Sequence, residues 1–221
     1  MPAHVSAVED LALHGPRVLG FASAARVAAR YRLDPDVVHE LLLDHEARGW
    51  VQHTGFGGLS GWSVTDAGRA EDERRLALEL DRAGARDSVV AVHREFLPLN
   101  QQFGEACTHW QLRPTRLDPL AFNDHTDWAW DEQVRRRLTS LGRAFGRLSH
   151  RLSQRLHRFD GYGERYAAAL AHVDAGRPRW VDAPEVDSCH TVWIQLHEDL
   201  LGTLGIPRGH DAEDAPPARP G

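Results

Sequence analysis

Two histidines near the C-terminal end of the chain are the side chains best suited to ligand binding. His190 and His197 lie on a segment whose apolar residues recur at helical spacing, and both fall on the apolar side of that predicted helix, together with Trp193. A buried imidazole needs a hydrogen-bond partner. Their separation of seven residues is roughly 10 Å along a helix axis, which makes joint ligation of one metal ion awkward. The pair therefore indicates either a small-molecule site or two structural histidines whose ring nitrogens are hydrogen-bonded within the core.

A long aperiodic stretch, residues 113–130, could supply the polar partners. It contains two prolines and three aromatic residues and has no hydrophobic period. Long aperiodic segments inside compact domains are uncommon and are often binding loops or lids. We therefore predict a pocket of mixed aromatic and polar character for an unknown small-molecule effector. The predicted lining residues are Asn100, His109, His125, Asp127, Trp128, His190, Trp193 and His197.

The sequence lacks the common motifs for catalysis and cofactor binding. His39-Glu40, His45-Glu46 and His197-Glu198 each begin like the HExxH zinc motif, but none has the second histidine at the required position. Gly58-Leu59-Ser60-Gly61 is one residue short of a nucleophile elbow, and the chain has neither a P-loop nor a GxGxxG motif. We therefore predict no catalytic residue, no metal site and no cofactor. A metal- or cofactor-dependent enzyme is the most distant alternative.

The composition is that of an ordinary globular protein, with 42% hydrophobic and 26% charged residues. The formal net charge of −6 gives no overall attraction to nucleic acid or to an anionic membrane. The N-terminus lacks the basic start and apolar core of a signal peptide, and no apolar run is long enough to span a bilayer. Cys107 and Cys189 form no CxxC pair, which is typical of reduced thiols. These features predict a cytoplasmic protein with no membrane partner.

The stretch from Leu33 to Arg69 carries the clearest structural pattern. Asp34 is suited to cap a helix and Pro35 to occupy its first position, and apolar residues then recur at helical spacing until a glycine ends the helix. Residues 50–64 are predicted as two strands that flank a glycine-rich tip. Thr65 is predicted to cap the next helix. The stretch is therefore expected to fold as helix, strand, turn, strand and helix.

Two motifs in this stretch carry a family resemblance. Gly49-Trp50-Val51 and Trp62-Ser63-Val64-Thr65-Asp66-Ala67-Gly68 resemble the MarR-type winged-helix transcriptional regulators, which place a glycine and an apolar pair after the recognition helix and a V-T-x-x-G turn after the wing. The resemblance covers the first third of the chain. It implies a winged helix-turn-helix that binds duplex DNA, with residues 34–48 as the helix that enters the major groove. The predicted DNA-contacting residues are Arg17, Ser23, Arg26, Arg30, Arg32 and His39.

The outward face of that recognition helix departs from the family pattern. Asp36, Glu40 and Asp44 fall on it, whereas phosphate contacts supply much of the affinity for DNA. Any DNA contact is therefore expected to depend on Arg26 and Arg30 at least as much as on this helix.

An alternative follows from the same charges. The wing tip, residues 53–60, carries no arginine, and Leu43 and Phe56 are expected to be exposed. The chain could therefore be an adaptor or small-molecule-binding protein whose winged helix does not bind DNA.

The remaining elements complete the predicted fold. A short helix over residues 5–14 and a strand over 17–21 are expected before the helix 23–31. After Gly84, the predicted helices cover residues 87–112 with a break at Pro98, 131–159, a shorter helix ending at 173, and 184–204. These helices indicate a small bundle that senses a ligand or mediates homodimerisation.

The predicted fold class is therefore mainly α. It consists of a winged helix-turn-helix domain with a small β-wing over residues 1–84 and a helical domain over 85–207. A tail rich in proline and acidic residues, 208–221, is expected to be disordered. An arginine-rich face on the long helix, formed by Arg136, Arg143, Arg147, Arg151 and Arg158, is predicted to be solvated. The expected function is a ligand-responsive transcriptional regulator.

Overall fold

The computed structural model describes residues 2–207 and residue 209, with the backbone alone at residue 56. The tail predicted over residues 208–221 otherwise lies outside this described part. The elements are α1 (Val8–Leu19), α2 (Ala24–Tyr31), α3 (Pro35–Ala47), β1 (Val51–Phe56), β2 (Leu59–Val64), α4 (Asp66–Arg82), α5 (Arg86–Gln111), α6 (Trp128–Ser153), a short 3-10 helix (His157–Phe159), α7 (Tyr162–Asp174), a second 3-10 helix (Pro178–Trp180) and α8 (Cys189–Leu204). The protein is mainly helical, with a small antiparallel sheet formed by β1 and β2. None of the helices in the described part is long and apolar enough to cross a membrane.

The chain divides into two compact units, and both are discontinuous in sequence. The first contains Met1–Val90, Leu152–Phe159 and the chain from Gln195 onward, and the second contains Ala91–Arg151 and Asp160–Ile194. This division differs from the predicted contiguous domains 1–84 and 85–207. The physical reason is that α1 and α4 carry buried charges whose partners lie in the 3-10 helix and in the second half of α8.

Side-chain caps fix the helix starts in the first unit, as predicted. Asp34 accepts hydrogen bonds from the backbone amides of Asp36 (2.8 Å) and Val37 (3.3 Å), with Pro35 at the first helical position. Thr65 accepts one from the amide of Gly68 at 3.0 Å. The strand predicted over residues 17–21 is wrong, because α1 continues through Pro16 to Leu19.

The hairpin of β1 and β2 is closely packed against its surroundings. Its register pairs Val51 with Val64 and Phe56 with Leu59. A Cβ atom at position 61 would lie 2.9 Å from the backbone of Ala22, and one at Gly68 would overlap the carbonyl oxygen of Trp50. The glycine of the V-T-x-x-G turn is therefore required by the close approach of α4 to the connection between α3 and β1.

The second unit has an aromatic core. Trp193 packs face to face with Phe103, with ring centroids 4.2 Å apart, and also stacks on Phe96 at 5.3 Å and Phe145 at 4.9 Å. Tyr166 is fully buried beside them and donates a hydrogen bond to the carbonyl oxygen of Leu138 at 3.2 Å. Large flat side chains from four helices thus fill this core.

Several predicted helix boundaries in this region need correction. Helix α5 is continuous through Pro98 rather than broken there. Helix α6 begins at Trp128, so two of the tryptophans assigned to the loop are helical, and it ends at Ser153 rather than at residue 159. Helix α8 begins at Cys189, because the Ser188 hydroxyl caps it by accepting a hydrogen bond from the amide of Thr191 at 3.1 Å.

Candidate functional site

The first unit exposes a surface formed by α2, a three-residue turn and α3. Ser23 caps α2 by accepting a hydrogen bond from the backbone amide of Arg26 at 3.3 Å. Arg32 adopts the left-handed conformation (φ 57°) and ends α2, and Asp34 then starts α3. This short turn sets two helices against each other with one side of each exposed.

The residues predicted to contact DNA do not all lie on this surface. Arg26, Arg32 and His39 are exposed. Arg30 is half-buried and donates a hydrogen bond to the carbonyl oxygen of Arg158 at 3.0 Å, so part of its function is structural. Arg17 is buried, and its guanidinium is held by carboxylates. It is therefore removed from the set of candidate DNA contacts.

The outward face of α3 is acidic and partly apolar, as predicted from the sequence. Asp36, Glu40 and Asp44 are all exposed. Among the described residues these three carboxylates form no ion pair. Val37 and Leu43, with exposed fractions of 49% and 42%, lie in the same helix. This surface combines negative charge with exposed apolar area.

An aromatic cluster joins α3 to the hairpin. The ring of Trp62 on β2 lies 5.3 Å from that of His39 and 4.5 Å from that of His53. His53 also forms a hydrogen bond with the Ser60 hydroxyl across the hairpin at 2.8 Å. His39 therefore fixes α3 against the strands, as well as lying at the surface.

A buried network of charges occupies the interior of the first unit. Arg17 on α1 donates hydrogen bonds to Glu198 (2.9 Å) and Asp72 (3.3 Å), and to Glu73 at the edge of the network (2.9 Å). His14, one turn earlier, places one ring nitrogen 3.1 Å from Asp72. These contacts connect α1 to α4 and α8 through ionic groups.

His14 also contacts a second carboxylate. Its other ring nitrogen lies 3.1 Å from Asp199, so both nitrogens face acceptors and the charged imidazolium satisfies both. Burial by itself lowers the pKa of His14, but the charges of Asp72 and Asp199 outweigh burial and raise that pKa to about 9. Burial would raise the pKa of Asp199, but the charges of Arg158 and His14 lower it. The imidazole is therefore charged at neutral pH although it is buried.

Arg158 completes the network from the 3-10 helix. It forms ion pairs with Glu79 (2.9 Å) and Asp199 and donates to the hydroxyl of Thr203 at 2.6 Å. Ser6 near the N-terminus in turn hydrogen-bonds Glu79. The buried members are three cations and four carboxylates: His14, Arg17 and Arg158 with Asp72, Glu79, Glu198 and Asp199.

Sequence reasoning missed this network. Glu198 and Asp199 fall on the polar side of α8, opposite the side of His190 and His197, yet both are buried, whereas Ile194 is 48% exposed. A signal was present in α1, where His14 and Arg17 interrupt an apolar helix. In the structure, Gly202 on α8 leaves room for Arg17, since a Cβ atom there would lie 3.0 Å from the guanidinium carbon.

The residues predicted to line a ligand pocket fall into separate groups. Asn100 accepts a hydrogen bond from the indole of Trp193 at 2.9 Å, and the ring of His190 lies 6.3 Å from that of Phe103. Burial lowers the pKa of His190, which keeps its ring neutral. His197 lies on the part of α8 that belongs to the first unit.

The loop residues of the predicted pocket have partners within the loop and the adjoining helix ends. His125, at φ 57°, forms a hydrogen bond with Asp131 at 2.9 Å and packs on Trp110 at 4.5 Å. Asp127 forms an ion pair with Arg113 at 2.6 Å.

The tryptophans of this region differ in exposure. Trp130 donates to the carbonyl oxygen of His109 at 2.8 Å, whereas Trp128 is 70% exposed. The loop is thus ordered by its own polar contacts. The single pocket that joins it to both histidines of α8 stays a prediction.

The two cysteines are free and buried. Burial raises the pKa of Cys107 to about 12 and that of Cys189 to about 12, so both are protonated thiols at neutral pH. Among the described residues, no group of three or more histidine, cysteine or acidic side chains is placed to hold a metal ion. Comparison with protein-family models, with curated proteins and with solved structures finds no match to this chain.

Proposed function

We propose that the protein is a winged-helix transcriptional regulator that binds duplex DNA through α2, α3 and the hairpin. The observation that carries the proposal is the pairing of Ala22 with Trp62, whose backbone groups exchange two hydrogen bonds of 3.0 and 2.8 Å. The connection between α1 and α2 thereby forms a single antiparallel β-bridge to the edge of the hairpin. Helix, bridging segment, helix-turn-helix and two-stranded hairpin follow one another in the chain order of a winged helix, which supports the MarR-like resemblance.

The charges on this surface determine how DNA would be bound. With α3 in the major groove, Arg26 and Arg32 are the exposed cations beside it that can contact phosphates. Carboxylates on α3 can accept hydrogen bonds from cytosine amino groups, but phosphates repel them. We therefore expect weak non-specific affinity and a strong dependence on the base sequence.

The first experiment measures DNA affinity as a function of salt. DNA selected by genomic pull-down is titrated with the purified protein at low salt, and the slope of log K against log salt is determined. The double variant Arg26→Gln with Arg32→Gln should bind DNA more weakly, and the magnitude of this slope should fall by the equivalent of about two phosphate contacts. Arg82→Gln, an exposed change at the end of α4, is the matched control and should leave the slope unchanged. An unchanged slope in the double variant would contradict the proposed contacts.

A second candidate function is a winged helix that binds a basic protein segment instead of DNA. The specific observation in its favour is the α3 face, where three carboxylates lie beside exposed Val37 and Leu43. Such a surface complements an amphipathic segment with lysine or arginine on its polar side.

One variant separates the two functions. Replacing Asp36, Glu40 and Asp44 by their amides removes three negative charges from α3. If α3 enters DNA, the triple variant should bind non-specific DNA at least tenfold more tightly, because the repulsion from phosphates is removed. If neither the original protein nor the triple variant binds DNA at low salt, the protein-binding function is favoured.

A further inference from the structure

A polar groove lies in the second unit, between α6 and the C-terminal end of α7. Its volume is about 310 Å³, which is at the lower end of the usual range for small-molecule sites. One wall carries three arginines of α6, together with Ser140, and Asp174 lies on the other wall. These arginines are Arg135, Arg136 and Arg143. The groove is separate from the residues predicted for a ligand pocket.

The positive charge in this groove is only partly neutralised. Glu132 forms ion pairs with both Arg135 and Arg136, so one carboxylate is shared by two guanidinium groups. Arg143 forms no ion pair among the described residues. The Nε of Arg135 is buried and has no hydrogen-bond partner there. Donors and positive charge are therefore in excess along this side of the groove.

Two other arginines of α6 are paired with carboxylates of α5. Arg137 is paired with Glu105, and Arg151 with Glu95 at 2.6 Å. Arg158, which was predicted to share the same solvated face, is buried in the first unit. Arg147 is exposed but does not line the groove, so it provides a control of equal charge on the same helix.

We propose that this groove binds a small phosphomonoester that carries a hydroxyl group. Planar guanidinium groups bind phosphate oxygens through two parallel hydrogen bonds, and the Ser140 hydroxyl can donate another. The volume exceeds that of inorganic phosphate, which leaves room for a short carbon chain. Asp174 is the last residue of α7, and its carboxylate can accept a hydrogen bond. It would bind the hydroxyl end of the ligand.

The test uses isothermal titration calorimetry of the full-length protein with two probes at constant ionic strength. Inorganic phosphate and glycerol 3-phosphate should both give saturable binding, and glycerol 3-phosphate should bind more tightly, because it also reaches Asp174. The double variant Arg135→Gln with Arg143→Gln should bind both probes at least tenfold more weakly, whereas Arg147→Gln should leave both affinities unchanged. Circular dichroism checks that each variant is folded.

The variant Asp174→Asn sharpens the test because it should affect the two probes to different extents. It should tighten the binding of inorganic phosphate by removing a like charge, and it should reduce the advantage of glycerol 3-phosphate over phosphate. Absence of saturable binding to the original protein overturns the proposal, and so does equal weakening by Arg147→Gln. DNA binding is measured without either probe, so failure of the groove leaves the DNA-binding proposal to its own experiment.

Discussion

The interiors of the two units are built from opposite kinds of side chain, charged in the first and aromatic in the second. In the first unit, Arg17, His14 and Arg158 are buried among carboxylates. In the second unit, stacked rings around Trp193 fill the interior, and a single indole hydrogen bond to Asn100 satisfies its polar atom. Breaking a buried ion pair leaves an uncompensated charge, whereas trimming an aromatic core leaves a cavity. The first unit should therefore be sensitive to pH and to single charge removal, and the second should not.

Removal of Arg158 should have the largest effect on this difference. Arg158→Leu leaves Asp199 and Glu79 buried without their main cation, and we expect it to lower the free energy of unfolding by about 3 to 5 kcal/mol. Urea denaturation followed by circular dichroism measures the change. Arg155→Gln, an exposed arginine of the same segment, is the matched control. A loss below about 1 kcal/mol would show that the network does not stabilise the first unit.

The next effect in size is a pH dependence that arises from His14. Because the folded-state pKa of about 9 lies above the unfolded value, stabilisation by His14 is complete below about pH 6.5 and is lost as the pH rises towards 9. Between pH 6.5 and 8.5 the free energy of unfolding should fall by about 2 to 3 kcal/mol.

The control for this pH dependence is His14→Gln, which should be less stable at pH 6.5 and should lose most of the slope. The pKa values of His45 and His190 are lowered, so their contributions have the opposite sign and are largely complete where this window begins. A slope that persists in the His14 variant would assign the pH dependence to another group.

A change in the aromatic core should be smaller and independent of pH. Trp193→Phe removes the indole hydrogen bond to Asn100 and leaves a small cavity, so we expect a loss of about 2 kcal/mol that is the same at pH 6.5 and 8.5. Trp128→Phe, at an exposed position, should change the stability by less than about 0.5 kcal/mol. A strong pH dependence in the Trp193 variant would remove the distinction between the two cores.

The smallest effect is expected for an exposed ion pair. Arg151 and Glu95 lie 2.6 Å apart, like the buried pairs, but both side chains are about half exposed. Arg151→Gln should therefore lower the free energy of unfolding by at most about 0.5 kcal/mol, and added salt should make this difference smaller. A loss comparable to that of Arg158→Leu would mean that burial is not what distinguishes the network.

The local elements of the first unit were accessible from the sequence because their signals are local. Asp34 with Pro35, Thr65 and the glycines of the hairpin act on backbone groups within a few residues, so their types predict caps and turns directly. The continuation of α1 through Pro16 was missed, because proline in a helix normally indicates a break. Packing over the whole length of α1 outweighed that preference.

The buried network and the discontinuous units could not be predicted in the same way. Whether Glu198 and Asp199 face solvent or another helix depends on the position of α1, which is far away in sequence. Helical periodicity separates a polar side from an apolar side, but it does not show that the polar side is also buried. The candidate groove was missed for a related reason, since its two walls come from α6 and α7.

The discontinuity of the first unit has a consequence for how the chain acquires its structure during synthesis. Domains generally fold as the N-terminal part leaves the ribosome. Here, His14 and Arg17 are made early, but the carboxylates of Asp199 and Glu198 follow only after the entire second unit. Until then, the two cations of α1 have only the carboxylates of α4, Asp72 and Glu73, as partners. The nascent first unit must wait for the end of the chain, and a fragment ending at residue 84 should not reach the native state of this unit.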